Sequence, residues 1–159
     1  MTFTITEKQT PQPEDIHARL GAVLGSTEVH FHPEPASKER LLEVLQEVIT
    51  AEGALSIDLD DVESLLKDAQ SVHVMDWSDN TKDLTQLTAE AVKMLQAKIK
   101  AGAHQDILLA LQSKTELEIA TLSDCMGIVD PLGNDDSIIL TGDMSTEKSN
   151  RVLLVAACK

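Results

Sequence analysis

The chain has 159 residues, 42% of them apolar, enough for one domain with a real core and too few for two domains of ordinary size. Thirteen Lys and Arg stand against 27 Asp and Glu, a net charge of −14, and no basic cluster offsets it, so a nucleic-acid backbone or an anionic membrane meets repulsion. Phe3, Phe31 and Trp77 are the whole aromatic supply, which excludes a base-stacking platform and makes the core aliphatic.

From the N-terminus, residues 1–36 read as an arm, partly flexible and dispensable for folding. Within it, Ile16, Leu20, Val23 and Leu24 form a short amphipathic stripe that Gly25 ends, and "VHFHPEP" is extended and closed by Pro33 and Pro35. The domain proper is expected over 37–159. Ser37 opens a helix with Leu41, Leu42, Leu45, Val48 and Ile49 on one face, and Gly53 stops it. A short apolar strand through Ala54, Leu55 and Ile57 leads to a helix over about 59–69 with Val62, Leu65 and Leu66 inward.

"SVHVMDW" alternates as a strand should, Val72, Val74 and Asp76 on one side, His73, Met75 and Trp77 on the other. A polar loop precedes a helix over about 82–100, stopped by Gly102 and carrying Leu84, Leu87, Ala91, Met94, Leu95 and Ile99 at helical spacing. "DILLALQ" reads as a buried strand. Thr115 with Glu118 makes a capping box for a helix with Leu117, Leu122, Ile128 and Val129, closed by Pro131 and Gly133. "DSIILTG" and "RVLLVAAC", joined by a polar turn, predict a terminal hairpin. The fold class that follows is α/β, a two-layer sandwich whose mixed sheet of about four strands is covered by helices.

The stretch "ITAEGALSIDLDDV" resembles the segment that joins the central helix of the tubulin/FtsZ family to its C-terminal domain, a Gly, an apolar pair, then Asn-x-Asp-x-x-Asp-Val. Gly53, Asp58, Asp61 and Val62 match, and Ser56 stands where the family has Asn. "DILLALQSKTELEIATLSDCMGIV", "NDDSIILTG" and "RVLLVAAC" are similar to the strands and helix that follow, so the resemblance runs from about Glu39 to Ala157. It implies the fold of the FtsZ C-terminal domain without the family's GTPase domain. Family members bind GTP through a Gly-rich phosphate loop; the glycines here stand at 21, 25, 53, 102, 127, 133 and 142 and form no such motif.

The resemblance also implies a role for the two loop carboxylates. In the family they reach the GTP of the next subunit in a filament and orient water for attack on the γ-phosphate. Asp58 and Asp61, with Ser56, are therefore candidates for chemistry in trans. Local physics offers another reading: Asp58 caps the helix, Asp61 at its third position reaches back, and Ile57 with Val62 forms a hydrophobic staple. Capping without catalysis is the favoured reading. The function expected is that of a cytoplasmic, non-catalytic FtsZ-like interaction module that binds a family polymer or itself, with no cofactor, nucleic acid or membrane. The alternatives are a trans-acting half of a split GTPase and an unrelated small-ligand or regulatory α/β domain.

His30 and His32, two apart in an extended segment, point to one side and with Glu28 or Glu34 are candidate metal ligands; two surface histidines are the blander reading. His73 reads as packed or exposed. Cys125 and Cys158 form no CxxC pair and read as buried thiols, and Ser123, Asp124 and Cys125, being consecutive on a helix, cannot form a triad.

Overall fold

A computed structural model of the chain describes residues 11–51, 55–99, 103–144 and 149–159. The expected stops at Gly53 and Gly102, the strand residue Ala54 and most of the last polar turn lie outside these residues. In chain order the elements are α1 (Pro13–Leu24), β1 (Glu28–His32), α2 (Lys38–Thr50), α3 (Leu59–Leu66), β2 (Ser71–Asp79), α4 (Leu84–Gln96), β3 (Gln105–Gln112), α5 (Ile119–Val129), β4 (Ile139–Asp143) and β5 (Asn150–Cys158). A single 3₁₀ turn, Asp130–Leu132, follows α5.

Among the described residues the strands form one mixed sheet of five in the order β1-β2-β5-β3-β4. β1 runs parallel to β2 and β3 parallel to β4, while β5 lies antiparallel between β2 and β3. The α/β class and mixed sheet stand as expected, with five strands rather than about four. The terminal hairpin does not form. β5 leaves β4 at the sheet edge and inserts at the centre, where Val152 to Ala157 are all buried, as suits a strand covered on both faces.

Side chains alternate across the sheet, so each strand feeds two cores. On one face Val72, Val74, Leu108, Ala110, Leu153 and Val155 pack under α1, α2 and α3. On the other Met75, Ile107, Leu109, Leu111, Val152 and Leu154 pack under α4 and α5. Helices thus cover both faces, making three layers rather than two.

Residues 13–32 are not a detached arm. Ile16, Leu20 and Leu24, spaced by four, are fully buried against α2 and α3, and β1 completes the sheet with Phe31 in the same core. Gly25, at φ 49°, ends α1 where a side chain would be strained, and its N–H donates to the Gly21 carbonyl. Ser37 caps α2 by accepting from the Arg40 N–H at 3.0 Å. The capping box expected at Thr115 and Glu118 is absent, since α5 starts at Ile119 with no side-chain cap; the reciprocal box stands instead at Asp83 and Gln86, opening α4.

Candidate functional site

The acidic loop is fixed by its backbone and one apolar side chain. No strand forms at 55–57; the Leu55 carbonyl accepts a single bond from the Asp143 N–H at 2.9 Å, tying the loop to the end of β4. Ile57 is buried beneath Gly142, where a Cβ would come within 2.7 Å of its Cδ1. A side chain there would push the Ile57 side chain aside, so the glycine suits the close crossing of the loop over the edge strand.

Asp58 occupies the N-cap position of α3 and its carbonyl accepts from the Val62 N–H at 3.1 Å. Its side chain makes no capping hydrogen bond, so the expected side-chain cap is not formed. Ile57 and Val62 are both buried in one core, as a hydrophobic staple requires, and they fix how the chain enters the helix. Ser56, Asp58 and Asp61 are all exposed, and Asp60 and Asp61 lie in the first helical turn, where carboxylates meet the positive end of the helix dipole.

The neighbouring cation comes from the segment read as an arm. Arg19 of α1 donates from Nη2 to Asp60 Oδ1 at 2.6 Å and from Nε to Glu63 Oε2 at 3.0 Å. These two carboxylates hold its guanidinium well above its ordinary pKa, Glu63 contributing most. A cleft of about 360 Å³ lies between α1 and the start of α3, lined by Asp15, Arg19, Ile49, Asp58 and Asp60 among others. Sequence reasoning missed Arg19, because nothing local in a helix of the arm says that its partner is 41 residues away.

The histidines are brought together at the opposite sheet edge. His30 and His73 stand in register on β1 and β2, their rings stacked 4.6 Å apart, and His32 lies parallel to His73 at 6.3 Å. Glu28 Oε1 approaches His30 Nε2 at 3.1 Å. Stacked rings direct their nitrogens sideways rather than toward a common point, and among the described residues no group of three His, Cys, Asp or Glu side chains could hold a metal ion. Burial pushes His73 down to about 4 and lowers His32 as well, with like charge on neighbouring groups adding to it. Burial likewise raises the thiols of Cys125 and Cys158, the opposite of what a nucleophile needs. Among the described residues no helix is long and apolar enough to cross a membrane.

A second feature the sequence did not reveal is the outer face of α5. Ile119 is 84% exposed and Met126 41%. Of the residues expected on this helix's inner side, Val129 is fully buried, Leu117, Leu122 and Ile128 pack partly buried against the same core, and Cys125 joins them, which leaves Ile119 and Met126 outside.

No protein-family model and no curated protein matches this sequence. Solved structures do match its fold. A mutant FtsZ from M. jannaschii superimposes with a TM-score of 0.56 at 21% identity, over 75% of this chain and 38% of its own. An empty FtsZ dimer from the same organism gives 0.61 at 14%, over 78% of this chain and 40% of its own. The architecture is thus an α/β fold of the tubulin/FtsZ type. This chain spans about two fifths of the length of the FtsZ structures it matches, as the resemblance to the C-terminal domain alone implies.

Proposed function

We propose that this chain is a cytoplasmic, non-catalytic interaction module of the FtsZ type, which associates with an FtsZ/tubulin-type polymer or with itself. The observation that carries this reading is the acidic loop at the β4 edge. The Leu55–Asp143 hydrogen bond and the Ile57–Gly142 contact hold it in place, while Leu55, Ser56, Asp58 and Asp61 stay exposed. A loop fixed from within and charged outside serves as a preformed contact surface, because little ordering entropy is lost on binding. The sequence supplies no Gly-rich phosphate cradle, which supports a binding role rather than nucleotide hydrolysis by this chain alone.

Co-sedimentation with assembled FtsZ polymer is the test. Wild-type protein pellets with the polymer, and Leu55→Asp, which alters an exposed residue, reduces the pelleted fraction. Sedimentation velocity of the protein alone reads the self-association arm. A chain that neither pellets nor self-associates contradicts the reading.

The outward placement of Asp58 and Asp61 favours a second reading, in which these carboxylates, with Ser56, complete a nucleotide site on a separate GTPase partner. Phosphate release from the polymer separates the two readings.

A further inference from the structure

The outer face of α5 is apolar and small, and carboxylates outnumber cations beside it, with Lys114 the one basic residue near its start among the described residues. Ile119 and Met126, seven residues apart, fall nearly above one another on a helix, and Ala120, Ser123 and Gly127 fill the surface beside them, all exposed. Glu116, Glu118, Asp124 and Asp130 flank this stripe along the chain, and Asp135 and Asp136 follow in the next loop, every one exposed. The sequence holds no Lys or Arg between Lys114 and Lys148.

Gly127 adds an independent observation. It lies within the helix, and a Cβ there would meet nothing within 4 Å, so this fold does not need a glycine at that position. Glycine in a helix interior is unfavourable relative to alanine, and its usual return is close approach by another backbone.

We propose that this face of α5 docks a basic amphipathic helix from another protein, aliphatic residues on the Ile119–Met126 stripe and Lys or Arg flanks on the rim carboxylates. Charge decides the occupant. A second copy of this chain, at −14 overall, would set the acidic rim against itself if it paired through the same face, and a nucleic acid or anionic membrane meets the same repulsion. A cationic rim converts that repulsion into steering, and a helix is the element that reads anchors at this spacing. The inference stands apart from the polymer reading, whose surface is the 55–61 loop.

The test uses the full chain and three labelled synthetic peptides, read by fluorescence anisotropy. One carries leucines at helical spacing flanked by lysines, the second has the same leucines flanked by glutamates, and the third keeps the lysines with glutamine in place of leucine. The first peptide binds at least about tenfold tighter than either of the others. The double variant Ile119→Ser/Met126→Ser weakens it by about tenfold or more, whereas Met94→Ser, an equally exposed methionine on α4, leaves affinity unchanged. Gly127→Ala raises the Tm, since the helix gains a better former in open space, yet weakens the peptide. Equal binding of the lysine–glutamine peptide, indifference to the Ile119/Met126 change, or an equal loss with Met94→Ser overturns the proposal. Self-association abolished by Ile119→Ser would overturn the choice of occupant in favour of a second copy.

Discussion

Arg151 of β5 grips Asp76 of β2 through two parallel hydrogen bonds, Nε to Oδ1 at 2.8 Å and Nη2 to Oδ2 at 3.1 Å, while Nη1 reaches Glu47 of α2 at 2.6 Å. One side chain thus joins the central strand to its neighbour and to the helix layer above. Arg151 and Asp76 are only 16% and 17% exposed, so solvent screens the pair weakly.

Removing one partner leaves the other partly buried and short of hydrogen bonds. Arg151→Ala therefore costs about 2–3 kcal/mol in urea unfolding. Arg151→Lys costs less but more than a surface exchange, because an ammonium cannot reproduce the fork. A loss below a few tenths of a kcal/mol for the alanine variant would mean that the pair contributes nothing net.

The first helix is part of the fold, and its removal is expected to be severe. Leu20 is wholly buried between α1 and the α2–α3 layer, so Leu20→Ala costs about 2–5 kcal/mol. Deleting residues 1–26 exposes the apolar faces of α2 and α3 and abolishes cooperative unfolding by heat. A melting temperature unchanged within a few degrees would restore the expectation of a dispensable arm.

That reversal shows what the sequence could disclose. The strands at 71–79 and 105–112 were legible because alternation in "SVHVMDW" and the unbroken run "DILLALQ" are local signals. The stripe Ile16, Leu20, Leu24 was legible as a helix but not as core, since burial depends on what packs above it. β1 was read only as extended, because five residues with two histidines carry a weak strand signal. The error at β4 and β5 is of another kind. Two apolar runs with a short turn mimic a hairpin, and only nonlocal pairing places β5 between β2 and β3; its burial on both faces, written in "VLLVAA", was the available clue. At the loop, Ile57 and Val62 gave the helix entry, while the tie to Asp143 and the partner of Arg19 are contacts across distant segments.

Acid is expected to loosen the β1 edge. The folded chain holds His73 near 4, chiefly through burial, with His30, His32 and Lys98 opposing a further positive charge and Glu28 favouring it. The unfolded chain takes up that proton near the ordinary value of about 6.5. Between these values the unfolded state binds more protons, so stability holds above about pH 6.5 and falls as the pH drops toward about 4. His32, lowered in the same direction, adds to the effect. The loss attributable to His73 reaches about 3 kcal/mol at the acid limit. Urea midpoints from pH 7.5 to pH 4.5 check this, and His73→Gln flattens the profile; an unchanged slope in that variant would place the acid sensitivity elsewhere.

The central claim, that the acidic loop makes contacts and not chemistry, is tested most directly by phosphate release from an assembled FtsZ polymer in GTP. The protein is added as wild type, Asp58→Asn or Asp61→Asn. Both side chains are exposed and Asp58 forms no side-chain cap, so both variants fold, while an amide cannot take a proton and orients water differently. The expected result is the same rate of phosphate release with all three proteins, whether unchanged or equally inhibited. Stimulation by the wild type that both asparagine variants abolish would contradict it and assign Asp58 and Asp61 to catalysis in trans.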